Sequence, residues 1–421
     1  MNSHGVARGT CYAFLAAFPV ASFGHDSPLR FPFKRCKGFF VSIEQMNIFS
    51  FFSGAGFLDL GFELEGHYNI VFVNEFHKAF NDVYQYARQN MNLPRPIYGH
   101  HVENIVHYID GEHPEMMENL TNLVNESRNQ TLTGFIGGPP CPDFSVAGRN
   151  RGKEGDNGKL SQTYADLICH AQPDFFLFEN VKGLYRTARH REFFEHLKQQ
   201  FRDKGYCLTE RLINSLEYGA PQDRDRIILI GIHEHVVNAL HIPVENRELM
   251  EFPWEQHQQY SVEEVKQLTW PDKTPYHQGI PTPMPDGITE ELTVMHWWNQ
   301  NDVEHHPNQN MYFQPRAGLR RFMTKDEGDV EKKCYKRLHR WRYSPTAAYG
   351  NNEVHIHPFL PRRISVAEAL AIQTLPANYI LPNNITLTDA FKTIGNGVPY
   401  VAARGIAESI YDYIHHFNPA I

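Results

Sequence analysis

The sequence predicts an open, parallel α/β sheet, interrupted late in the chain by a second, smaller region of irregular structure. Three observations predict it. From Asn47 to about Ile232, short apolar runs alternate with amphipathic stretches of helical length, the pattern of strands joined by crossover helices. Between His233 and Tyr343 that alternation stops, and all five tryptophans (Trp254, Trp270, Trp297, Trp298, Trp341) fall there. Regular patterning then returns: "RRISVAEALAIQTLP" opens a helix with Ser365 and Glu368 at capping-box spacing.

The elements follow in order. "NIFSFF" (47–52) is an apolar run of strand length, and "FLDLGFELEG" after it carries helical periodicity. "YNIVFVNE" is a second strand, followed by a helix through "AFNDVYQYARQN". "LTGFIGG" is a third strand, "TYADLICHAQ" a helix and "DFFLFEN" a fourth strand. "REFFEHLKQQFRDKG" is an amphipathic helix and "RIILIGI" a last apolar strand. The chain closes with "TDAFKTIGNGVPYVAARGIAESIYDYIHHF", which ends as an amphipathic helix. There are no internal repeats and no low-complexity segment.

Composition excludes several classes. With 41% apolar and 21% charged residues in 421, the chain has the balance of a globular protein of two or more domains. No stretch approaches the ~20 apolar residues of a membrane helix. A formal charge of −8 argues against a surface that is basic throughout, but is compatible with a local basic groove. Arg316–Arg342 holds ten Lys/Arg against four Asp/Glu, which reads equally as a basic binding face or as a solvated charge run. Six cysteines without a CxxC pair point to reduced thiols in a cytosolic compartment. The histidines show no HExxH spacing, so no metal site is expected. Residues 1–45 are expected to be disordered or spurious, with translation starting at Met46, although "CYAFLAAFPVASFG" has the apolar character of an export signal.

Three constellations carry chemistry. In "FFSGAGFLDLGFE", a strand, a turn with Gly54 and Gly56, and a helix form the frame in which backbone amides cradle an adenosine-bearing cofactor. Glu75 ends the next strand, where a carboxylate takes ribose hydroxyls. The third glycine of a dinucleotide fingerprint is replaced by Asp59, which disfavours NAD and leaves room for a cofactor without a pyrophosphate. Secondly, Cys141 in "GGPPCPDFSVAGRN" and Glu179 in "DFFLFEN" both follow apolar strands, at the edge where open α/β sheets hold their active sites. A thiolate nucleophile and a carboxylic acid suit attack on an electron-poor ring whose charge is quenched by protonation. The loop "DFSVAGRNRGKEGDNGK", with Gly148, Gly152, Gly155 and Gly158, has the composition of a mobile lid. Thirdly, Arg224 and Arg226 enter a strand two apart and share a face, placed to hold phosphate or a substrate ring; an ion-pair network with Asp223 and Asp225 is the alternative.

Taken in order, "FSGAGFLDLGFE", "NE", "GGPPCPDFS", "ENVKGL", "PQDRDR", "RRISVAEALAIQTLP" and "IGNGVP" resemble the DNA (cytosine-5) methyltransferase family of bacterial restriction–modification systems. The resemblance implies a Rossmann-like, S-adenosylmethionine-dependent methyltransferase domain at 46–232 plus 346–421. It implies a smaller, irregular target-recognition domain at 233–345. Cys141 would add to C6 of a flipped cytosine, Glu179 would protonate N3, and a base inside a duplex must be flipped to be reached. Arg224 resembles the family's arginine near the target base, with Gln222 and Arg226 supporting the site. Phe52 would stack near the adenine, Phe76 would form its wall, and Asn396 with Val398 would close the methionine side. Ser145, Gln222 and Thr346 would face the DNA, Thr346 lying in "SPTAAYG".

The resemblance further implies a cytoplasmic monomer acting on double-stranded DNA. It would protect one short sequence from a cognate restriction endonuclease, which is a functional rather than a physical partner. Three positions depart from the family pattern: Pro142 where many relatives carry glutamine, His101 near the usual aspartate that accepts from the adenine amino group, and Ala347 where a larger apolar residue is common. A tRNA cytosine-5 methyltransferase is the competing reading; the separate variable region with its basic stretch favours DNA. An NAD-dependent oxidoreductase is disfavoured by Asp59, and an inactive DNA-binding regulator by the presence of both Cys141 and Glu179.

Overall fold

The axis of the sheet is β1 (Ser42–Phe51), which pairs in parallel with a strand on either side. The computed structural model describes residues 42–140, 156–315, 318–350 and 353–417. From β1 the chain passes through α1 (Phe57–Glu63), β2 (Tyr68–Asn74), α2 (Lys78–Asn90) and the short β3 (His100–His101) toward one edge. It then crosses back through α3 (Pro114–Arg128) to β4 (Thr131–Gly137), α4 (Asp156–Ala171), β5 (Phe175–Val181) and α5 (Ala188–Asp203). The remaining sheet strands are β6 (Tyr206–Asn214), β7 (Gln222–Asp223), β8 (Asp225–His233), and, after α6 (Glu234–Leu240), β9 (Val244–Glu245) and β10 (Glu248–Leu249). The nine-stranded order is β3-β2-β1-β4-β5-β8-β6-β10-β9, with β7 apart. The order in which strands are added reverses at β1, so the carboxyl ends of β1 and β4 form the switch point where open α/β sheets bind ligands.

Two features differ from the sequence expectation. The sheet is not wholly parallel: β8 runs antiparallel to both β5 and β6. The strand β6, "YCLTERLIN", escapes sequence reading because Thr209, Glu210 and Arg211 interrupt its apolar run. Regular structure also begins ahead of Met46. Ser42 pairs with Thr131, whose hydroxyl donates to the Gln45 carbonyl at 2.5 Å, and Asn69 Nδ2 donates to Gln45 Oε1 at 3.1 Å. Ser42–Gln45 is therefore part of β1, and the expectation of disorder up to residue 45 is corrected there; residues 1–41 lie outside the described residues.

Both faces of the sheet are covered because alternate strand residues feed opposite cores. Met46 and Ile48 join Ile136, Leu177, Ile228 and Ile230 beneath the last helix, α12 (Tyr400–His416). Phe49 and Phe51 join Phe135, Phe176, Phe178 and Phe201 on the side of α4 and α5. Burial of this kind, at about 25 cal/mol per Å² of apolar surface, dominates the stabilisation of the sheet.

After β10 come three short helices, α7 (Val262–Gln267), α8 (Val294–Gln300) and α9 (Leu319–Thr324), then β11 (Ser344–Pro345), α10 (Val366–Ile372) and α11 (Leu387–Asn396). This irregular region has a small cluster of Val265, Trp270 and Leu292 with Leu216. It also contributes Val294, Trp298, Val303 and Leu338 to a larger core shared with α10 and α11. The described residues from Ser42 to Phe417 thus pack as one unit. Two arginines of the basic stretch are spent inside it. Arg337, with no exposed surface, donates to the carbonyls of Phe322, Lys325, His357, Pro358 and Leu360. Arg340 is held by both carboxylate oxygens of the buried Glu327, each at 2.9 Å.

Candidate active site at the carboxyl edge of the sheet

The first half of the site is a cradle built between β1 and β2. The chain leaves β1 through Phe52, Gly54 and Gly56, all with left-handed backbone (φ 52°, 56° and 79°). Glycine adopts this conformation without strain, whereas Phe52 is held in it at a cost of about 1 kcal/mol or more. Glu75, buried at the end of β2, closes the turn: its Oε2 accepts from the Gly54 amide at 2.8 Å and its Oε1 from the His77 amide at 2.7 Å. Desolvation pushes this carboxyl above the usual glutamate range, and the two amides, His77 and Lys392 act in the opposite direction. The adjacent Phe76 is 69% exposed, a large aromatic face left to solvent beside Glu75. Phe52 is half-buried and meets Tyr164 edge-on, with ring centroids 5.9 Å apart.

Asp59 explains the missing third glycine. Its carboxylate is buried and accepts from Ser50 Oγ at 2.8 Å and Tyr84 Oη at 2.9 Å. Close helix packing passes instead to Gly61, where a Cβ would lie 2.5 Å from that of Ala403 on α12. The cradle's far wall comes from the end of α11. A Cβ on Gly397 would meet the Phe57 ring at 2.2 Å, and one on Gly54 would lie 3.9 Å from Thr393 Oγ1. The hydroxyls of Ser53 and Thr393 are buried without a partner among the described residues. Val398 is buried and Asn396 exposed on this wall. His101 faces elsewhere: its ring stacks on Phe72 at 4.4 Å and its Nε2 lies 2.9 Å from the Tyr98 carbonyl. Its backbone carbonyl does serve the cradle, accepting from the Glu75 amide at 3.0 Å.

The second half of the site lies where β4 and β5 end. Gly137 pairs with Phe178, so Gly138 falls opposite Glu179, and a Cβ on Gly138 would stand 2.6 Å from Glu179 Oε2. The other oxygen, Oε1, is 2.7 Å from Arg226 Nε. Only an antiparallel β8 allows this, because it starts at the edge where β5 stops and pairs Val181 with Arg226. Asn180 Nδ2 donates to the Pro139 carbonyl at 3.5 Å, tying the approach to Cys141 onto β5. Cys141 and Ser145 themselves lie outside the described residues, as does most of the expected lid. Its last residues differ from expectation, since α4 begins at Asp156 and takes in Gly158.

The two arginines take different partners. Arg224 precedes β8 and is 1% exposed. Its Nη1 donates to the Ala347 carbonyl at 3.0 Å, and its Nη2 to Gly395 and Asn396 at 3.0 and 3.2 Å. Burial, with Arg226 next, pushes this guanidinium well below the usual arginine range. Neither arginine pairs with the neighbouring aspartates: Asp223 is met by Lys266 and Asp225 by Lys182. Gln222 has no exposed surface, which corrects the expectation that it faces DNA; its Oε1 accepts from the Ala347 amide at 3.0 Å. Thr346 is half-buried, its hydroxyl donating to the Asp223 carbonyl at 2.6 Å. Gln373, passed over in the sequence, lies fully buried beside them. Its only signal was an amide directly after the apolar turn of α10.

An open sheet with a glycine-turn cradle and a carboxylate–guanidinium pair at its carboxyl edge is the architecture of an α/β enzyme. The chain belongs to the C-5 cytosine-specific DNA methylases, whose family model matches residues 46–412. It is a DNA cytosine-5 methyltransferase. It is 56% identical over 370 residues to the Type II methyltransferase M.NmeDI of Neisseria meningitidis serogroup C, covering 88% of this chain and 84% of that one. It is 28% identical to the Type II methyltransferase M.NgoPII of Neisseria gonorrhoeae, covering 87% and 95%. Among solved structures, the fold is similar to a Spodoptera frugiperda DNMT2 variant (TM-score 0.52, 15% identity, covering 87% of this chain and 100% of that one). It is also similar to S. pombe Dnmt2 (TM-score 0.53, 12% identity, covering 89% and 99%). At these identities the structural likeness concerns the fold alone.

Proposed function

We propose that this chain methylates C5 of one cytosine within a short sequence of double-stranded DNA, with S-adenosylmethionine as donor, as the methyltransferase of a bacterial restriction–modification system. The observation that carries the reading is Glu179, with one carboxylate oxygen on Arg226 and the other against Gly138, three residues ahead of Cys141. The Type II naming of the relatives supports the restriction–modification context.

The target cytosine must leave the stack, at a few kcal/mol of unstacking. Cys141, as thiolate, forms an Sγ–C6 bond while Glu179 gives a proton to N3, which takes up the electrons displaced from the C5–C6 bond and leaves C5 nucleophilic. Arg226 fixes the carboxyl so that Oε2 faces the ring. After methylation, a base takes the C5 proton, the electrons of that C–H bond restore the C5–C6 double bond and expel Sγ as thiolate, and N3 gives its proton back to Glu179. The donor, when bound, supplies an electrophilic methyl group. The residues fit it: Glu75 for the ribose, Phe76 and Phe52 for the adenine, Asn396 and Val398 for the methionine side, with the unpartnered Ser53 and Thr393 hydroxyls open to further polar contact. Arg224 and Gln222 act indirectly, by fixing the backbone around Ala347 beside Thr346, and Ser145 contacts the DNA from the loop after Cys141. The region 233–345 reads the sequence, and the enzyme works as a cytoplasmic monomer.

The test is transfer of labelled methyl from S-adenosylmethionine to duplex DNA, with tRNA as the second arm. Incorporation into DNA, lost in Cys141→Ser with donor binding retained, is expected. Incorporation into tRNA alone overturns the substrate assignment, and an active Cys141→Ser overturns the mechanism.

A further inference from the structure

The cradle and the DNA-facing segment are joined by three side chains that solvent does not touch. Gln222, Arg224 and Gln373 are 0%, 1% and 0% exposed. On one side, Ser344–Pro345 pairs with Gln222–Asp223, and both polar groups of Ala347 are taken: its amide by Gln222 Oε1 and its carbonyl by Arg224 Nη1. On the other side, the carbonyls that end α11 are taken in turn. Gln373 Nε2 donates to Ile394 at 2.6 Å and to Gly397 at 3.4 Å, while Arg224 holds Gly395 and Asn396. The joint is closed by Gln222 Nε2 donating to Gln373 Oε1 at 3.2 Å. Gly395 permits the approach, since a Cβ there would lie 2.9 Å from the Tyr349 amide.

Resting on the functional reading above, we propose that Gln373 is a positioning residue of the cofactor site, and that it relays the placement of the Ser344–Tyr349 segment to the Ile394–Val398 turn. The chemistry supports a relay rather than two separate supports. A primary amide has one acceptor oxygen and two donor hydrogens, and Gln373 spends the oxygen on the DNA side and the nitrogen on the cofactor side. Rotating the amide would set donor against donor at Gln222 and acceptor against carbonyl at Ile394, so its orientation is fixed by both neighbours together. Arg224 ties the Ala347 carbonyl to Gly395 and Asn396 directly, whereas Ile394 and Gly397 take their side-chain donor from Gln373, which Gln222 holds in turn. Gly397 lies directly on Phe57 at the start of α1, so the turn is rigidly referred to the cradle.

Side chains acting in series are non-additive. The experiment measures the dissociation constant of S-adenosylmethionine by titration calorimetry for the full chain and for Gln222→Ala, Gln373→Ala and the double variant, with steady-state kinetics on duplex DNA beside it. Gln222→Ala is expected to weaken the donor about five- to tenfold although Gln222 does not line the cradle. Gln373→Ala is expected to weaken it similarly, and the double variant no further. The KM for the donor rises in all three while kcat at saturation stays within about twofold. Gln373→Met, which keeps volume without hydrogen bonds, is expected to match Gln373→Ala, guarding against an effect of cavity formation. Independent, multiplying effects, an unchanged constant in Gln222→Ala, or a fall in kcat without a change in KM would overturn the relay. Failure of the unmodified chain to bind the donor would overturn the functional reading and the relay together, whereas normal binding with additive variants overturns the relay alone.

Discussion

Glu179 and Arg226 stand 2.7 Å apart across two strands that run in opposite directions. The side chains are 11% and 12% exposed respectively, so each is the other's main compensation for lost water. Arg226 also donates from Nη1 to its neighbour's carbonyl, Asp225, at 2.7 Å, which fixes the guanidinium before any substrate arrives. Arg226→Ala is expected to lower methyl transfer to duplex DNA by about 10²-fold or more, the scale of a misplaced acid. Arg226→Lys should recover only part of this, since a point charge lacks the planar fork. Initial rates at saturating DNA and donor check it; wild-type rates in Arg226→Ala would remove the pair from the mechanism.

Donor binding should depend on pH through Glu75. The carboxyl is raised above its usual range by burial, and on the proposed reading ribose hydroxyls would donate to its ionised form. The donor's dissociation constant is therefore expected to increase as pH falls through this raised pKa, beginning at a higher pH than for an ordinary glutamate. The stability effect has the opposite sign. The folded state holds this proton more tightly than the unfolded state, so this one group's contribution to stability grows as pH falls and diminishes as it rises. Titration calorimetry between mildly acidic and neutral pH tests the first statement, and the dependence should be abolished in Glu75→Gln.

Phe76 presents 69% of its surface to solvent, an arrangement that contributes little to folding. Phe76→Ala is expected to leave the melting temperature nearly unchanged and to weaken S-adenosylmethionine about five- to twentyfold, from loss of roughly 1–2 kcal/mol of aromatic contact. A thermal melt and a binding titration on the same sample distinguish the two effects.

Gly61 makes the opposite prediction. Its Cβ would meet Ala403 at 2.5 Å and the backbone of the next residue at 2.7 Å, so α1 and α12 must separate to admit it. Gly61→Ala is expected to cost about 1–3 kcal/mol and to lower the melting temperature by several degrees, visible by calorimetry.

Much of the site was legible because its parts are local. A strand, a left-handed turn and a helix occur within "FFSGAGFLDLGFE", and Glu75 is placed by the length of one crossover. Glu179 stands near the end of an apolar run that reaches the sheet edge. The direction of β8 was not legible, since an apolar strand reads the same in either sense, and β6, which fixes that direction, is interrupted by polar residues. The spacing of Arg224 and Arg226 did not reveal that β8 starts only at Asp225, or that the two guanidiniums take different partners.

By itself, then, the sequence placed a glycine turn and two carboxylates, Glu75 and Glu179, at the carboxyl edge of the sheet, each by short-range pattern. Tertiary structure decided which polar side chains are consumed in holding the frame. Arg224 reaches Ala347 and Gly395 across separations of 123 and 171 residues, and Gln222 reaches Gln373 across 151. No local periodicity encodes such partners. They are fixed by the carbonyls that the folded chain leaves without a donor, which a buried arginine or amide must then satisfy.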